Sequence, residues 1–160
     1  MTNTELDVLY DVQGAVATIT INRPSRLNAF TPDTVRRLTN AVEEAGKDGR
    51  VGVIVLTGAG DRAFSAGGDV SVEDEQTFTG GDDASAAFDE VMKDLYRAFR
   101  DGLKPVIARV DGYAIGGGHH LATCATSLLP PIARPSAKTA PGWEVRQKAG
   151  SSVTSGWSSA

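Results

Sequence analysis

The chain has 160 residues, of which 41% are hydrophobic and 22% charged, and a formal net charge of −4. That is an ordinary globular composition with enough chain for one core. The acidic balance and the absence of a long basic run exclude nucleic acid and an anionic membrane surface as expected partners. The single cysteine, Cys124, allows no internal disulfide, which suits a reducing compartment. The opening MTNTELDVLYD is acidic and lacks the apolar stretch of a signal peptide. No apolar run approaches the ~20 residues of a membrane span. The expectation is a soluble, cytoplasmic protein.

In chain order, Ala15–Asn22 alternates Val16, Thr18 and Thr20 with Ala17, Ile19 and Ile21, the period of a strand. Asn22-Arg23-Pro24-Ser25 breaks it. Thr31-Pro32 opens a helix carrying Val35, Leu38, Ala41, Val42 and Ala45 on one face, with Gly46 and Gly49 expected to end it. Val51–Thr57 is a continuous apolar run, expected as a strand buried on both faces. After the loop GAGDRAFSAGGD, the acidic segment Glu73–Gly81 is expected to be a mobile loop. Ala84–Arg100 reads as a second amphipathic helix, with Ala87, Val91, Leu95, Ala98 and Phe99 inward. Pro105–Val110 is a short buried strand, Gly116–Gly118 a tight turn, and His119 begins a third helix. Strand and helix alternating three times is an α/β order. Beyond Cys124 no period of 2 or 3.6 persists, and GSSVTSGWSSA reads as disordered.

Two glycine clusters carry the chemical interest. In AFSAGGD, Ala63–Asp69, adjacent glycines follow a buried strand and let backbone approach a ligand; a plain tight turn explains them equally. In GYAIGGGHHLATC, Gly112–Cys124, three glycines precede a helix, so free N–H groups and the positive end of the helix dipole converge. That suits an oxyanion, phosphate or carboxylate, or else merely close helix–sheet packing. Gly58–Ala63 also fits GxGxxA, but a dinucleotide fingerprint should open a helix, and FSAGGD has no helical pattern. His119 and His120 are adjacent, so on a helix they point about 100° apart and cannot share a metal comfortably. With no HExxH and no CxxC, no metal site is expected. One packed and one exposed histidine is the plain reading; an imidazole beside the glycine turn as acid or base is the alternative for His120.

Three stretches, ITINRPSRLNAF, VGVIVLTGAGDRAFSAGGD and KPVIARVDGYAIGGGHHLATC, resemble the crotonase (enoyl-CoA hydratase/isomerase) superfamily in order and spacing, over roughly Leu6–Cys124. The resemblance implies a crotonase-like ββα spiral. It implies that the N–H groups of Gly68 and Gly117 form an oxyanion hole for a thioester oxygen. It also implies that backbone near Arg26, Asn28 and Ala29 contacts coenzyme A, with Arg26 a phosphate partner. Ala66, Gly67, Asp69 and Gly116 would complete that binding site. Coenzyme A would arrive as part of an acyl-CoA substrate, with no permanently bound cofactor, and the parent enzyme would be a homo-oligomer, a trimer or hexamer. GGD, GAGDRAF and KPVIARVDGYAIGGG look most like the branch of 2-ketocyclohexanecarboxyl-CoA hydrolase and dihydroxynaphthoyl-CoA synthase, which make or break a ring C–C bond. Where hydratases of the family carry a glutamate, two residues past the third glycine, this chain has His120.

The same resemblance makes the tail anomalous. Similar chains continue with something like CDLTIAADNAxFGQTGPKVGS, whereas this one reads CATSLLPPIARPSAKTAPGWEV. Back-translated from the third base of the Ala125 codon, the sequence permits DLTIAAD, then FGQ, then a GPRVGS-like run; Lys138 excludes the usual Thr. The expectation is therefore a truncated spiral core over 1–124 and a frameshift-derived, irregular tail over 125–160. Three functions follow from it: ring C–C cleavage or closure on an acyl-CoA, generic enoyl-CoA hydration or isomerisation, and an inactive fragment.

Overall fold

The computed structural model describes residues 6–69, 82–125 and 127–129. Two strands, β1 (Val8–Gln13) and β2 (Val16–Ile21), form an antiparallel hairpin in register Gln13↔Val16, closed by the two-residue turn Gly14-Ala15. β1 is absent from the sequence reading, although Val8, Tyr10 and Val12 recur there at period 2, with Leu9, Asp11 and Gln13 between and after them. The expected face of β2 is the buried one: Ala17, Ile19 and Ile21 are fully enclosed.

A 3-10 turn over Pro24–Arg26 leads to helix α1 (Pro32–Lys47). Thr31 caps α1: its hydroxyl accepts from the Thr34 N–H at 3.2 Å, and the Thr34 hydroxyl accepts from the Thr31 N–H at 3.3 Å. Such a cap contributes about 1 kcal/mol. Thr34, Val35, Leu38, Ala41, Val42 and Ala45 form its buried stripe. The helix does not end at Gly46. It runs to Lys47, and Asp48 takes the C-cap position. Lys104 covers this end by donating to the carbonyls of Asp48 and Val51.

Strand β3 (Val53–Gly58) pairs parallel with β2, Val16 opposite Val53. Its even positions, Ile54 and Leu56, are buried, while Val53 and Val55 are half-buried. One face of β3 is therefore more open among the described residues than the apolar run suggests. Strand β4 (Ala63–Ser65) follows, then helix α2 (Asp82–Asp101), β5 (Val106–Arg109), β6 (Tyr113–Ala114), helix α3 (Gly117–Cys124) and β7 (Ser127–Leu129). The main sheet has the order β1-β2-β3-β5-β7, and β4 and β6 form a small parallel sheet of their own. α1 packs on β2 and against α2, where Leu95, Phe99 and Met92 are buried. Each fully buried aliphatic or aromatic side chain contributes about 1.5–3 kcal/mol, so Phe30, Phe64, Ile19, Ile21, Leu38, Leu56 and Leu95 carry much of the core.

β7 pairs parallel with β5, Ala108 opposite Leu128. A strand thus stands at Ser127–Leu129, inside the segment expected to be irregular. Residues 70–81, which contain the expected mobile loop Glu73–Gly81, and residues 130–160, which contain Trp143 and Trp157, lie outside the described residues. Among the described residues no helix is long and apolar enough to cross a membrane.

Candidate active site

The two glycine clusters end up side by side because β4 and β6 pair, Ala63 opposite Tyr113 and Ser65 opposite Ala114. GxGxxA is not a dinucleotide turn: after Gly58 the chain enters strand β4, not a helix. The segment 23–30 packs against AFSAGGD from the other side and is held there by three devices.

The first is Asn28. Leu27 and Asn28 both sit in left-handed backbone, φ 51 and 55, a conformation that costs a bulky residue free energy. The Asn28 side chain offsets it. Its Oδ1 accepts from the Arg23 N–H at 3.1 Å, and its Nδ2 donates to the carbonyls of Ala59 (2.9 Å) and Ala63 (2.7 Å). The second is Ser65, fully buried, whose Oγ donates to the Asn28 carbonyl at 2.7 Å and accepts from the Gly67 N–H at 3.1 Å. The third is a backbone ladder. Ala66 N–H donates to the Leu27 carbonyl (3.0 Å), Phe30 N–H to Gly67 (2.9 Å) and Asp69 N–H to Phe30 (3.0 Å).

This ladder decides where Gly68 points. Phe30 and Gly68 form an isolated parallel bridge. Its two hydrogen bonds use the Gly67 carbonyl and the Asp69 N–H, so the Gly68 N–H faces away from the loop. Gly117 is the first residue of α3, where an N–H has no intrahelical partner. Among the described residues neither the Gly68 nor the Gly117 N–H has a backbone acceptor. The two clusters touch: a Cβ on Gly67 would stand 3.0 Å from the Gly117 nitrogen and 3.6 Å from that of Gly118. Gly67 has φ +97, which L side chains rarely adopt. Phe30 lies beneath Gly117, its ring edge 2.8 Å from where a Gly117 Cβ would be, and stacks on Phe88 of α2 at 6.3 Å between centroids.

Several of the residues expected to contact ligand also serve the fold. Asp69 is buried, 7% exposed, and its carboxylate pairs with Arg23 Nη2 at 2.8 Å. It is an anion held within the fold by Arg23. Asn28 and Ala29 are buried too. The Asn28 side chain is fully engaged, and the Ala29 carbonyl accepts from Arg23 Nη1 at 2.6 Å. Arg26 is exposed and has no ion pair among the described residues, so it keeps its charge available. Ala66 is half-buried and Gly116 exposed. The reading of one packed and one exposed histidine does not hold, because both are exposed; His120 meets the Tyr96 ring edge-on at 6.1 Å. Burial pushes the Tyr96 phenol and the Cys124 thiol up from their ordinary values. Among the described residues no three metal-ligating side chains come together. A groove of about 890 Å³ opens between α1 and α2, lined by residues such as Asn40, Val91 and Leu103, and no glycine of the two clusters lines it.

Arg23 and Ser65 are absent from the expected set. The available signal for Arg23 was an aspartate directly after paired glycines: such a carboxylate, once buried, requires a cation.

A family model described as enoyl-CoA hydratase/isomerase matches residues 11–129. An enoyl-CoA hydratase/carnitine racemase structure from Magnetospirillum magneticum is 35% identical with a TM-score of 0.71, covering 78% of this chain and 46% of its own. An enoyl-CoA hydratase/isomerase from Xanthobacter autotrophicus Py2 is 31% identical with a TM-score of 0.72, again covering 78% of this chain and 46% of its own. The chain spans about half the length of these relatives. Its mixed α/β architecture is crotonase-like, and with the match extending over most of its length the chain belongs to the enoyl-CoA hydratase/isomerase family.

Proposed function

We propose that the chain is the N-terminal part of an enzyme acting on acyl-CoA thioesters, in which the Gly68 and Gly117 N–H groups form an oxyanion hole. The observation that carries this reading is the contact of the two glycine clusters, with both N–H groups lacking backbone acceptors among the described residues. When a proton leaves the α-carbon of a thioester, negative charge develops on the thioester oxygen. Two fixed donors stabilise that charge without reorganising, each by about 2.7–4 kcal/mol. The dipole of α3 adds to the same end. Arg26, exposed and unpaired among the described residues, suits a coenzyme A phosphate. Coenzyme A enters only as part of the substrate.

Ring C–C cleavage or closure is the branch we favour. It is supported by GGD, GAGDRAF and KPVIARVDGYAIGGG, and by His120 where hydratases carry a glutamate. Generic hydration or isomerisation is the second reading, supported by what the solved relatives are called. In either case the whole enzyme is proposed to be a homo-oligomer, and residues from Ala125 onward to derive from a shifted frame. The test is turnover of 2-ketocyclohexanecarboxyl-CoA and crotonyl-CoA by this chain and by one whose frame is restored by a single-base change near codon 125. Ring opening by the restored chain alone is the expected result. Hydration of crotonyl-CoA with the ring substrate untouched moves the assignment to the second reading. Turnover by the present chain that is lost on removing residues 125–160 overturns the frameshift account.

A further inference from the structure

We propose that Arg23 is a positioning residue that aims and polarises the Gly68 N–H through two intervening peptide planes. The inference rests on the reading of Gly68 as an oxyanion donor.

The path is continuous. Arg23 Nη1 donates to the Ala29 carbonyl at 2.6 Å. The peptide joining Ala29 to Phe30 is trans, so its N–H points opposite to that carbonyl. That N–H, on Phe30, donates to the Gly67 carbonyl at 2.9 Å. The next peptide is also trans, and its N–H is the one on Gly68. A guanidinium charge therefore sits at one end of a chain of aligned hydrogen bonds, and the proposed oxyanion donor sits at the other. Chained hydrogen bonds polarise one another, and a charged donor at the head strengthens the series.

The second arm of the guanidinium closes a ring around the donor. Arg23 Nη2 pairs with the Asp69 carboxylate at 2.8 Å, and Asp69 is the residue directly after Gly68. Gly67 and Gly68 have no side chains with which to fix their own peptide planes. Arg23 holds the carbonyl side of that pair through Phe30 and the following residue through Asp69. Its Nε faces Asp7 at 3.5 Å, and Asp7 in turn accepts from the Thr34 hydroxyl at 3.1 Å. The guanidinium is thereby anchored to the residue just before β1 and, through it, to the first turn of α1. It is only 17% exposed and Asp69 6%, so the Asp69 contact is sheltered from solvent. A lysine has a single nitrogen and cannot hold the Ala29 carbonyl and the Asp69 carboxylate in one planar fork.

The test uses the chain labelled with nitrogen-15, in its native form and as Arg23→Met, Arg23→Lys and Asp69→Asn. Amide proton shifts of Phe30, Gly68 and Gly117 are read without ligand. A conjugated dienoyl-CoA is then added to saturation, and the red shift of its ultraviolet band reports how strongly the thioester carbonyl is polarised. In Arg23→Met and Arg23→Lys we expect upfield movement of the Phe30 and Gly68 amide protons with Gly117 unmoved. We also expect loss of most of the red shift at saturating ligand. Asp69→Asn, which leaves the Nη1 arm in place, should lose less. If Arg23→Met does not fold, Arg23→Lys and Asp69→Asn give the same comparison. Gly68 amide shifts unchanged in the folded Arg23 variants overturn the inference. A Gly68 response to Arg23 with no red shift in the native chain overturns the oxyanion reading instead, and leaves the hydrogen-bond relay standing.

Discussion

Gly67→Ala isolates the contact between the two glycine clusters. The added methyl carbon would stand 3.0 Å from both the Gly117 nitrogen and the Ile115 carbonyl oxygen, and the backbone there has φ +97. Backbone of this kind costs a non-glycine residue about 1–3 kcal/mol. The contact adds to it, because both neighbours are main-chain atoms of the turn that opens α3 and must move by tenths of an ångström. Oxyanion donors act at 2.7–3.1 Å from the charged oxygen, so a displacement of that size spoils one of two donors, a loss of roughly 10²–10³ in rate. Gly14→Ala, in the turn between β1 and β2, is the matched control: φ is +59, yet nothing lies within 4 Å of its Cβ position. Both variants should melt lower, by roughly 2–8 °C for each kcal/mol lost. Only Gly67→Ala should also lose the red shift of bound dienoyl-CoA. If Gly67→Ala polarises the ligand as the native chain does, or if Gly14→Ala loses as much, the contact does not form the site.

Three further outcomes are expected. Asn28→Ala removes the partners of two carbonyls and one N–H while leaving left-handed backbone behind; urea unfolding should show a loss of about 3–5 kcal/mol, and a loss below about 1 kcal/mol would mean that water replaces the amide. The hydrogen bonds from Arg50 hold the Asp48 carboxyl at about 2. Its folded value lies below the unfolded one, so its stabilisation is present above the ordinary aspartate value of 3.8 and is lost as pH falls toward 2; Asp48→Asn should flatten the acid limb of a pH–melting curve in that window and leave pH 7 to 8 unchanged in slope. Burial raises the Cys124 thiol, so alkylation by iodoacetamide at pH 8 should be slower than that of a free cysteine peptide, and an equal or faster rate would contradict it.

The strands and helices with strong periodicity were legible in the sequence. The alternation of Ala17, Ile19 and Ile21 and the α1 stripe through Leu38 and Val42 appear in the structure on the expected faces. β1 was not, because its interpretation as a half-buried edge strand depends on the β2 partner it pairs with. β4 and β6 were not legible either: strands of three and two residues carry no period, and they exist because the two glycine segments must meet. Gly46 misled in the other direction. Its helical position costs about 1 kcal/mol, and packing of Val42 and Ala45 on the sheet outweighs that. At the site, Gly67, Gly68 and Gly117 were placed by motif order. Motif order does not show which polar groups the fold itself consumes: Arg23 holds the Asp69 carboxylate and the Ala29 carbonyl, and the Asn28 amide is used on the Ala59 and Ala63 carbonyls. The Arg23–Asp69 pair and the Asn28 Nδ2 are satisfied across 31 to 46 residues of sequence, a separation at which pattern says nothing about contact.

The central claim is that the Gly68 and Gly117 N–H groups bind one thioester oxygen. Titration of the nitrogen-15-labelled chain with an acyl-CoA, following those two amide protons, addresses it most directly. Both should move downfield along one binding curve, and coenzyme A lacking the acyl group should move neither. Downfield movement of only one of the two, or an equal response to coenzyme A alone, would contradict the account.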